Sequence, residues 1–253
     1  FRGLNYLLNE QQDKAIEVFV RLAEVNRDTV ETHLALGNLF RRRGEVDRAI
    51  RLHQNLVARP DLSDAMKTVA LLELGEDYMR AGLLDRAETL FSDLVAMKAH
   101  APSALKHLIA IYQHERDWGK AIAHAERFEE MTGESQASVI AQFWCELAAE
   151  ARNQRRYDDA AGHLVRAFER EPRSVRASML KGLVAADQEH YDDAIAAFEA
   201  AAEYDVDFVP EILPPLLDAY ARSQQMQRAE QFLSHIIERY QGISPVLALT
   251  KLF

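Results

Sequence analysis

One alanine-centred motif recurs along the chain at nearly constant spacing. In each copy a charged residue precedes the alanine, and we call this position the reference alanine. The copies lie at Ala15, Ala49, Ala87, Ala121, Ala160, Ala194 and Ala229. Successive spacings are 34, 38, 34, 39, 34 and 35 residues. A period of this length indicates a stack of similar units, each of which buries its apolar face against its neighbours.

Residues at fixed distances from the reference alanine share their chemistry. Twelve residues before it the side chain is small, at Gly3, Gly37, Gly75, Ala148 and Gly182. Nine before it the residue is aromatic, at Tyr6, Phe40, Tyr78, Tyr112 and Tyr220. Four after it the residue is bulky and apolar, at Phe19, Phe91, Leu164, Phe198 and Leu233. His53 and Ala125 depart from this last position. The other departures are Ile109 and Leu217 at the small position and Ala151 and Ala185 at the aromatic position. The pattern resembles the tetratricopeptide repeat, a pair of helices A and B.

The repeat predicts an all-α fold. We expect one tetratricopeptide-repeat domain over residues 1–253, a right-handed solenoid of about seven helix pairs plus a partial eighth. The expected pairs lie at about 1–25, 29–59, 64–98, 101–132, 136–170, 174–204 and 208–240, with a further helix A from about 243. The extra residues of the longer spacings are expected near 62–65 and 132–136. Pro214 and Pro215 predict that the seventh helix A starts late or bends.

Turn residues separate the two helices of each pair. Gly44 and Gly82 are typical of helix C-termini, where glycine readily adopts a left-handed conformation. A carboxylate follows near the start of each helix B, at Asp13, Asp47, Asp85, Asp158 and Asp192. We expect these carboxylates to cap free backbone N–H groups and to meet the positive end of the helix dipole.

The amino-acid composition argues against several classes of partner and of chemical site. The 30 Lys and Arg residues face 40 Asp and Glu residues, and the net charge of −10 argues against nucleic acid as a partner. A single cysteine, Cys145, excludes a disulfide framework and any cysteine-based metal site in these residues. No apolar run approaches the roughly 18 residues that a membrane span requires.

The sequence offers no recognisable catalytic site. It has no glycine-rich phosphate loop, no nucleophile elbow and no H-E-x-x-H motif. His100, His107 and His114 are seven residues apart, a helical rise of about 10.5 Å that is too long for neighbours to share one ion. We interpret them as surface or groove residues, and Cys145 as a small buried or groove-lining residue.

Helix A of each repeat lines the concave groove in which solenoids of this kind bind partners. The groove-facing positions lie about 18, 15, 11, 8 and 7 residues before the reference alanine. The candidate partner-binding residues there are Leu34, Asn38, Arg41, Arg42, Leu72, Glu76, Met79, Arg80, Lys106, Gln113, Arg152 and Arg176. This mixture suits an extended or helical peptide with acidic groups. The competing interpretation is that many of these side chains only solvate a helix face.

The densest basic cluster joins the run Arg41–Arg43 with Arg48 and Arg51. Two interpretations stay open. The cluster either meets an acidic partner or a membrane surface, or it solvates a helix end whose dipole favours cations.

A carboxylate clamp of the chaperone type is not expected, because Asn38 has Leu34 rather than lysine one turn earlier.

Three stretches contain characteristic residues at positions that the general repeat pattern does not specify. They are Asn5–Phe19, Leu36–Gln54 and Leu74–Leu94, and the second contains the run RRRGEVDRAIRLHQ. These stretches resemble the lipopolysaccharide assembly protein B (LapB) family of Gram-negative bacteria. The resemblance covers most of the chain and is strongest over about residues 1–95.

The resemblance implies a non-enzymatic adaptor that regulates lipopolysaccharide biosynthesis at the cytoplasmic face of the inner membrane. It would promote FtsH-dependent proteolysis of the deacetylase LpxC, with FtsH, LpxC and other lipopolysaccharide-assembly proteins as partners. Family members also carry an N-terminal membrane anchor and a C-terminal rubredoxin-like metal module. Because neither is present in these residues, which begin at Phe1, we expect a repeat domain from a longer protein, with no cofactor of its own.

Two other functions remain open at this stage. The chain could be a general scaffold for envelope-assembly proteins at the inner membrane, or part of an enzyme or metal protein whose active module lies elsewhere. Self-association is open as well, because the last residues are apolar and would lack a following repeat. These residues are Val246, Leu247, Leu249, Leu252 and Phe253.

Overall fold

Helices joined by short turns make up the described chain. The computed structural model describes Val18, residues 29–240 and residues 242–250. In chain order the helices are α1 (Val30–Arg43), α2 (Val46–Val57), α3 (Asp64–Arg80), α4 (Leu84–Ala96), α5 (Ala101–Glu115), α6 (Trp118–Thr132), α7 (Ala137–Asn153), α8 (Tyr157–Arg170), α9 (Val175–Asp187), α10 (Tyr191–Tyr204), α11 (Val209–Arg222), α12 (Met226–Arg239) and α13 (Ser244–Thr250). A 3-10 turn at Val206–Phe208 precedes α11.

These helices confirm the predicted all-α repeat fold. The odd-numbered helices are helices A and the even-numbered helices are helices B, so the described residues contain six pairs, from α1 and α2 to α11 and α12. The helix α13 is the predicted partial eighth helix A. The pair expected at about 1–25 lies outside the described residues, apart from Val18.

The described helices belong to two compact units. Unit 1 contains α1–α5 and residues 130–133, and unit 2 contains residues 118–129 and α7–α13. Each unit has its own buried apolar clusters, which include Leu34 with Leu56 in unit 1 and Ile195 with Phe198 in unit 2. The extent of a single domain over residues 1–253 stays a prediction.

In the repeats of α3 and α9, helix A meets helix B at a residue that has no side chain. A Cβ atom added to Gly75 of α3 would lie 2.6 Å from a ring carbon of Phe91 of α4. One added to Gly182 of α9 would lie 2.5 Å from a ring carbon of Phe198 of α10. Both rings are fully buried. The small residue and the bulky residue found in the repeat pattern are therefore the two sides of one interhelical contact.

The tyrosines nine residues before the reference alanine fill the space between repeats. Tyr78, Tyr112 and Tyr220 are buried, and each hydroxyl is hydrogen-bonded to the preceding helix B. The Tyr112 hydroxyl, for example, donates to Glu88 at 2.6 Å. The pKa values of Tyr112 and Tyr220 are raised well above the ordinary value for tyrosine. Burial is the main cause, and the hydrogen bond to the nearby carboxylate is the second. Each of these rings thus joins two neighbouring repeats by packing and by a hydrogen bond.

Every turn from helix A to helix B in the described chain passes through a left-handed residue. It lies five residues before the reference alanine, with φ between 58° and 86°, at Gly44, Gly82, Arg116, Arg155, Glu189 and Gln224. The next N–H donates to the carbonyl five residues earlier, as from Glu45 to Phe40 at 2.9 Å. This bond defines a Schellman-type helix end. The prediction for Gly44 and Gly82 is confirmed, but four repeats place a side chain where glycine is favoured.

The acidic residues near the start of helix B are not N-caps. Asp47, Asp85, Asp158 and Asp192 are each the second residue of their helix. The residue at the N-cap of each of these helices makes no side-chain cap hydrogen bond. The capping prediction was therefore wrong for these four residues, and Asp13 lies outside the described residues. A carboxylate in the first turn still meets the positive end of the helix dipole.

The extra residues of the two longer spacings mainly lengthen helices. The helices A of those units, α3 and α7, contain 17 residues each, whereas α1, α5, α9 and α11 contain 13 to 15. The turn before α3 spans residues 58–63, which agrees in part with the insertion expected near 62–65. The insertion expected near 132–136 was wrong, because that turn is as short as the one at residues 171–174.

The proline pair lies inside a helix. The helix α11 begins at Val209, so five helical residues precede Pro214 and Pro215. The prediction that this helix starts late was wrong, and a bend stays a prediction. Because proline has no N–H, the carbonyls four residues before each proline lose their usual helical donor.

The glycine contact gives a direct test of the fold. We expect Gly75→Ala to lower the free energy of unfolding by about 1–3 kcal/mol, because the ring of Phe91 is fully buried and has nowhere to move. The matched control is Gly162→Ala, since an added Cβ in the interior of α8 meets nothing within 4 Å. That change should raise stability by about 0.5–1 kcal/mol. Urea unfolding followed by circular dichroism measures both, and equal effects would contradict the contact.

The left-handed turns give a second test. Gly82→Ala should lower the free energy of unfolding by about 1 kcal/mol, because alanine is strained at a φ of 73°. Gln224→Gly should raise it by less, since glycine relieves the strain at a φ of 58° but also gains freedom in the unfolded chain. Calorimetric melting of both variants measures the effects. Two shifts of the same sign would contradict this account of the turns.

Candidate functional site

Helices A of three successive repeats line one pocket in unit 1. The pocket has a volume of about 570 Å³ and lies on α1, α3 and α5. Its lining residues are Arg41, Arg42, Glu76, Met79, Arg80 and His107. All but His107 are among the groove residues expected from the repeat offsets. We call this surface the arginine pocket.

Arg41 is fully engaged by the next repeat. Its guanidinium donates to the carboxylates of Glu73 at 2.6 Å, Glu76 at 2.8 Å and Asp77 at 2.7 Å. The side chain is only 15% exposed. Burial lowers the pKa of Arg41, but its hydrogen bonds to Glu73 and Asp77 outweigh burial, and the net shift is upward. Arg41 therefore joins α1 to α3 through hydrogen bonds from both of its terminal nitrogens.

Asp77 is fully buried and is hydrogen-bonded by His53 as well as by Arg41. Nδ1 of His53 lies 2.5 Å from Oδ2 of Asp77, a hydrogen bond in which the ring N–H donates to the carboxylate. His53, also fully buried, packs against Gly37, as Phe91 does against a glycine in the next repeat. A buried carboxylate is strongly destabilising unless it is paired. Arg41 and His53 together supply that pairing.

Sequence analysis missed this buried cluster, although two signals pointed to it. His53 occupies the position four after the reference alanine, where bulky apolar residues are usual. Asp77 lies ten residues before the reference alanine, where neighbouring repeats have Leu39 and Ile111. A polar residue at each of two apolar offsets indicates that they form a pair.

Glu76 in the arginine pocket is neutralised on two sides. Nε2 of His107 lies 3.4 Å from one carboxylate oxygen, and Arg41 binds the other. The hydrogen bond with His107, followed by the charge of Arg41, lowers the pKa of Glu76 although burial opposes this. The imidazole of His107 stacks on Phe91 with ring centroids 4.6 Å apart. His107 is thus a pocket residue that the repeat offsets did not predict.

Other predicted residues of unit 1 divide between core and surface. Leu34 is buried in the cluster with Leu56, so the prediction that it faces the groove was wrong. Leu72 and Asn38 are half-buried, and Oδ1 of Asn38 is buried without a hydrogen-bond partner among the described residues. Two more are exposed on α5, Lys106 and Gln113. None of these residues lines the arginine pocket.

The two predicted arginines of unit 2 form ion pairs between helices A. Nε of Arg152 on α7 lies 2.6 Å from Asp187 on α9. Arg176 on α9 lies 2.6 Å from Glu146 on α7. These reciprocal pairs join neighbouring repeats at the groove-facing positions. Because both pairs are largely solvent-accessible, each contributes little to stability.

The basic cluster of α1 and α2 is divided among several partners. Arg43 and Arg48 both pair with Glu45, at 3.0 and 2.5 Å. The side chain of Arg51 donates to a backbone carbonyl of its own helix at 3.2 Å. With Arg41 also engaged, Arg42 is the member of this cluster that lines the pocket without a partner in the described structure.

A larger pocket of about 810 Å³ lies on the outer side of α1 and α2. Its apolar lining includes Leu36, Phe40 and Leu52. The pocket lies on the first described repeat, and the repeat expected at about 1–25 lies outside the described residues.

The chemistry of the described residues does not resemble that of a catalytic or metal centre. Among them no group of three or more His, Cys, Asp or Glu side chains could hold a metal ion. Cys145 is fully buried, and burial raises the pKa of its thiol to about 11, so the thiol is protonated and a poor nucleophile. No described helix has the length and apolar character needed to cross a bilayer.

Models of the tetratricopeptide repeat match most of the chain. One matches residues 72–135, 145–211 and 181–242, and a second matches residues 32–66. Together with the six helix pairs, these matches show that the chain belongs to the tetratricopeptide-repeat family.

Two relatives carry the same specific name. Lipopolysaccharide assembly protein B of Escherichia coli K12 is 37% identical over 247 residues, which cover 98% of this chain and 64% of that protein. The protein of the same name from Haemophilus influenzae is 34% identical over 258 residues, covering 99% of this chain and 65% of that protein. The resemblance found in the sequence is therefore confirmed. The chain spans slightly less than two thirds of the length of these relatives.

Solved structures support the fold alone. The C-terminal part of a repeat protein from Cytophaga hutchinsonii aligns with a TM-score of 0.60 at 14% identity, over 94% of this chain and 93% of that one. YrrB, described as a repeat protein with an unusual peptide-binding site, aligns with a TM-score of 0.51 at 19% identity, over 82% of this chain and all of its own.

The Arg41 cluster predicts a contrast between two adjacent arginines. Arg41→Ala should lower the free energy of unfolding by about 2–4 kcal/mol, because it leaves the buried carboxylate of Asp77 short of its cationic partner. Arg42→Ala is the matched control, since Arg42 is exposed, and it should change stability by less than about 0.5 kcal/mol. Urea unfolding measures both. Similar losses for the two variants would contradict the structural role given to Arg41.

Proposed function

We propose that this chain is the repeat domain of a non-enzymatic adaptor that brings proteins together in lipopolysaccharide assembly. The observation that carries the proposal is 37% identity to lipopolysaccharide assembly protein B over 98% of the chain. The architecture supports it, because tetratricopeptide repeats present groove surfaces to partner proteins. The arginine pocket of unit 1 is such a surface, with exposed arginines beside an apolar side chain.

The specific role we propose is control of the enzyme that commits precursors to lipid A. In this proposal the full-length protein acts at the cytoplasmic face of the inner membrane and presents the deacetylase LpxC to the protease FtsH. The support is the resemblance in the stretches Leu36–Gln54 and Leu74–Leu94. These stretches run through α1–α4 and include five residues of the arginine pocket from α1 and α3.

The proposal predicts the cellular half-life of LpxC. When the full-length parent protein is depleted, LpxC should become longer-lived, because its delivery to the protease is lost. A translation-arrest chase with immunoblotting measures the half-life. Re-expression of the parent should restore rapid turnover, and a second FtsH substrate serves as a control that the protease itself stays active.

Either alternative result is informative about the function. An unchanged half-life of LpxC after depletion would contradict the adaptor role in proteolysis. Recovery of other envelope-assembly proteins with the chain, without FtsH or LpxC, would then favour the general scaffold.

A further inference from the structure

The arginine pocket contains two arginines that have no partner among the described residues. Arg42 on α1 and Arg80 on α3 are exposed and line the pocket. The described structure gives neither side chain a hydrogen bond or ion pair, whereas Arg41 in the same pocket contacts three carboxylates. A guanidinium has five N–H donors and is suited to binding a carboxylate through two parallel hydrogen bonds.

The carboxylates near the pocket are bound by other residues and not by Arg42 or Arg80. Glu76 is the carboxylate among the lining residues, and it is already bound by Arg41 and His107. Glu73 and Asp77 also bind Arg41, and neither lines the pocket. The pocket therefore presents two exposed guanidinium groups whose N–H donors have no partner among the described residues, although the chain as a whole carries a net charge of −10.

An apolar side chain lies with the two arginines. Met79 directly precedes Arg80 on α3, is half-buried and lines the same pocket. Methionine is unbranched and polarisable, so it adapts to apolar partners of different shape. The pocket thus offers cations and an adaptable apolar surface within the space of about 570 Å³.

From these features we infer that the arginine pocket binds a segment of a partner protein in which carboxylates flank an apolar side chain. Arg42 and Arg80 bind the carboxylates, Met79 contacts the apolar group, and Arg41 only holds the helices in place. The inference rests on the proposed adaptor function and assigns its binding site and the chemistry of its partner.

A protein segment fits these observations better than an anionic lipid surface. Membrane binding by basic segments relies on clusters of about four to eight cations at the surface. The pocket offers two unpaired arginines, and they lie in a concavity within an acidic protein. Each of these features favours a narrow ligand with a few localised charges.

The test uses the full chain and a display library of random 12-residue peptides. Selection should enrich sequences that place Asp or Glu next to Leu, Met, Ile or Phe. A fluorescein-labelled selected peptide should then bind about tenfold or more weakly to the Arg42→Glu, Arg80→Glu double variant, because each lost arginine removes charge-assisted hydrogen bonds. Changing the peptide's acidic residues to lysine should recover binding to the double variant.

Arg127→Glu is the matched control, since Arg127 is exposed on α6 and does not line the pocket. It should leave peptide affinity unchanged, and circular dichroism should show that all variants fold. The inference is overturned if selection does not enrich acidic peptides, or if the double variant binds as the control does. Binding of phosphatidylglycerol vesicles that displaces the peptide would also overturn it, in favour of a lipid ligand.

A cellular experiment separates this inference from the proposed function. If the full-length parent with both arginines changed to glutamate still shortens the half-life of LpxC, the pocket is not the binding site and the adaptor function stands. If depletion of the unchanged parent leaves the half-life of LpxC as it was, the proposed function itself fails.

Discussion

The fold depends on the close approach of two helices at a residue that lacks a side chain. Gly75 faces Phe91 and Gly182 faces Phe198, at distances that leave no room for a Cβ atom. Only this approach lets a large ring fill the space between helix A and helix B and become fully buried. Since a single repeat buries too little apolar surface to fold alone, each such contact also sets the surface that the next repeat packs against.

The candidate site follows from one departure in that contact. His53 takes the place of the phenylalanine ring and brings a polar group into the interior of unit 1. Its partner is Asp77 of the next repeat, and a buried carboxylate in turn requires a cation, which Arg41 supplies. One arginine of the basic run is thereby fixed in structure, while Arg42 stays exposed beside it. Of two adjacent arginines, one is therefore part of the packing and the other is the residue to which we assign the proposed binding role.

Periodicity predicted which residues share a face, but not which atoms they contact. The offsets correctly placed Arg41, Met79 and Arg80 in one groove, because a helical repeat fixes position along a face. They could not show that Arg41 is engaged by carboxylates from the next repeat, since that depends on side chains about 32 to 36 residues away in sequence. The groove prediction failed for Leu34. Near the start of α1, the residue at this offset packs into the buried cluster that contains Leu56.

The linked side chains of His53, Asp77 and Arg41 distinguish the second and third repeats from the other repeats of the stack. His53 lies on α2, Asp77 on α3 and Arg41 on α1, so the set is complete only when these three helices follow one another. The repeats with Gly75 and Gly182 bury only a glycine and a phenylalanine ring at this contact, so it does not distinguish one of them from the other. By contrast, a shuffled or duplicated copy of the second or third repeat would bury an unmatched polar group. The polar contacts in the interior at this end of the chain are therefore satisfied only when these repeats keep their order.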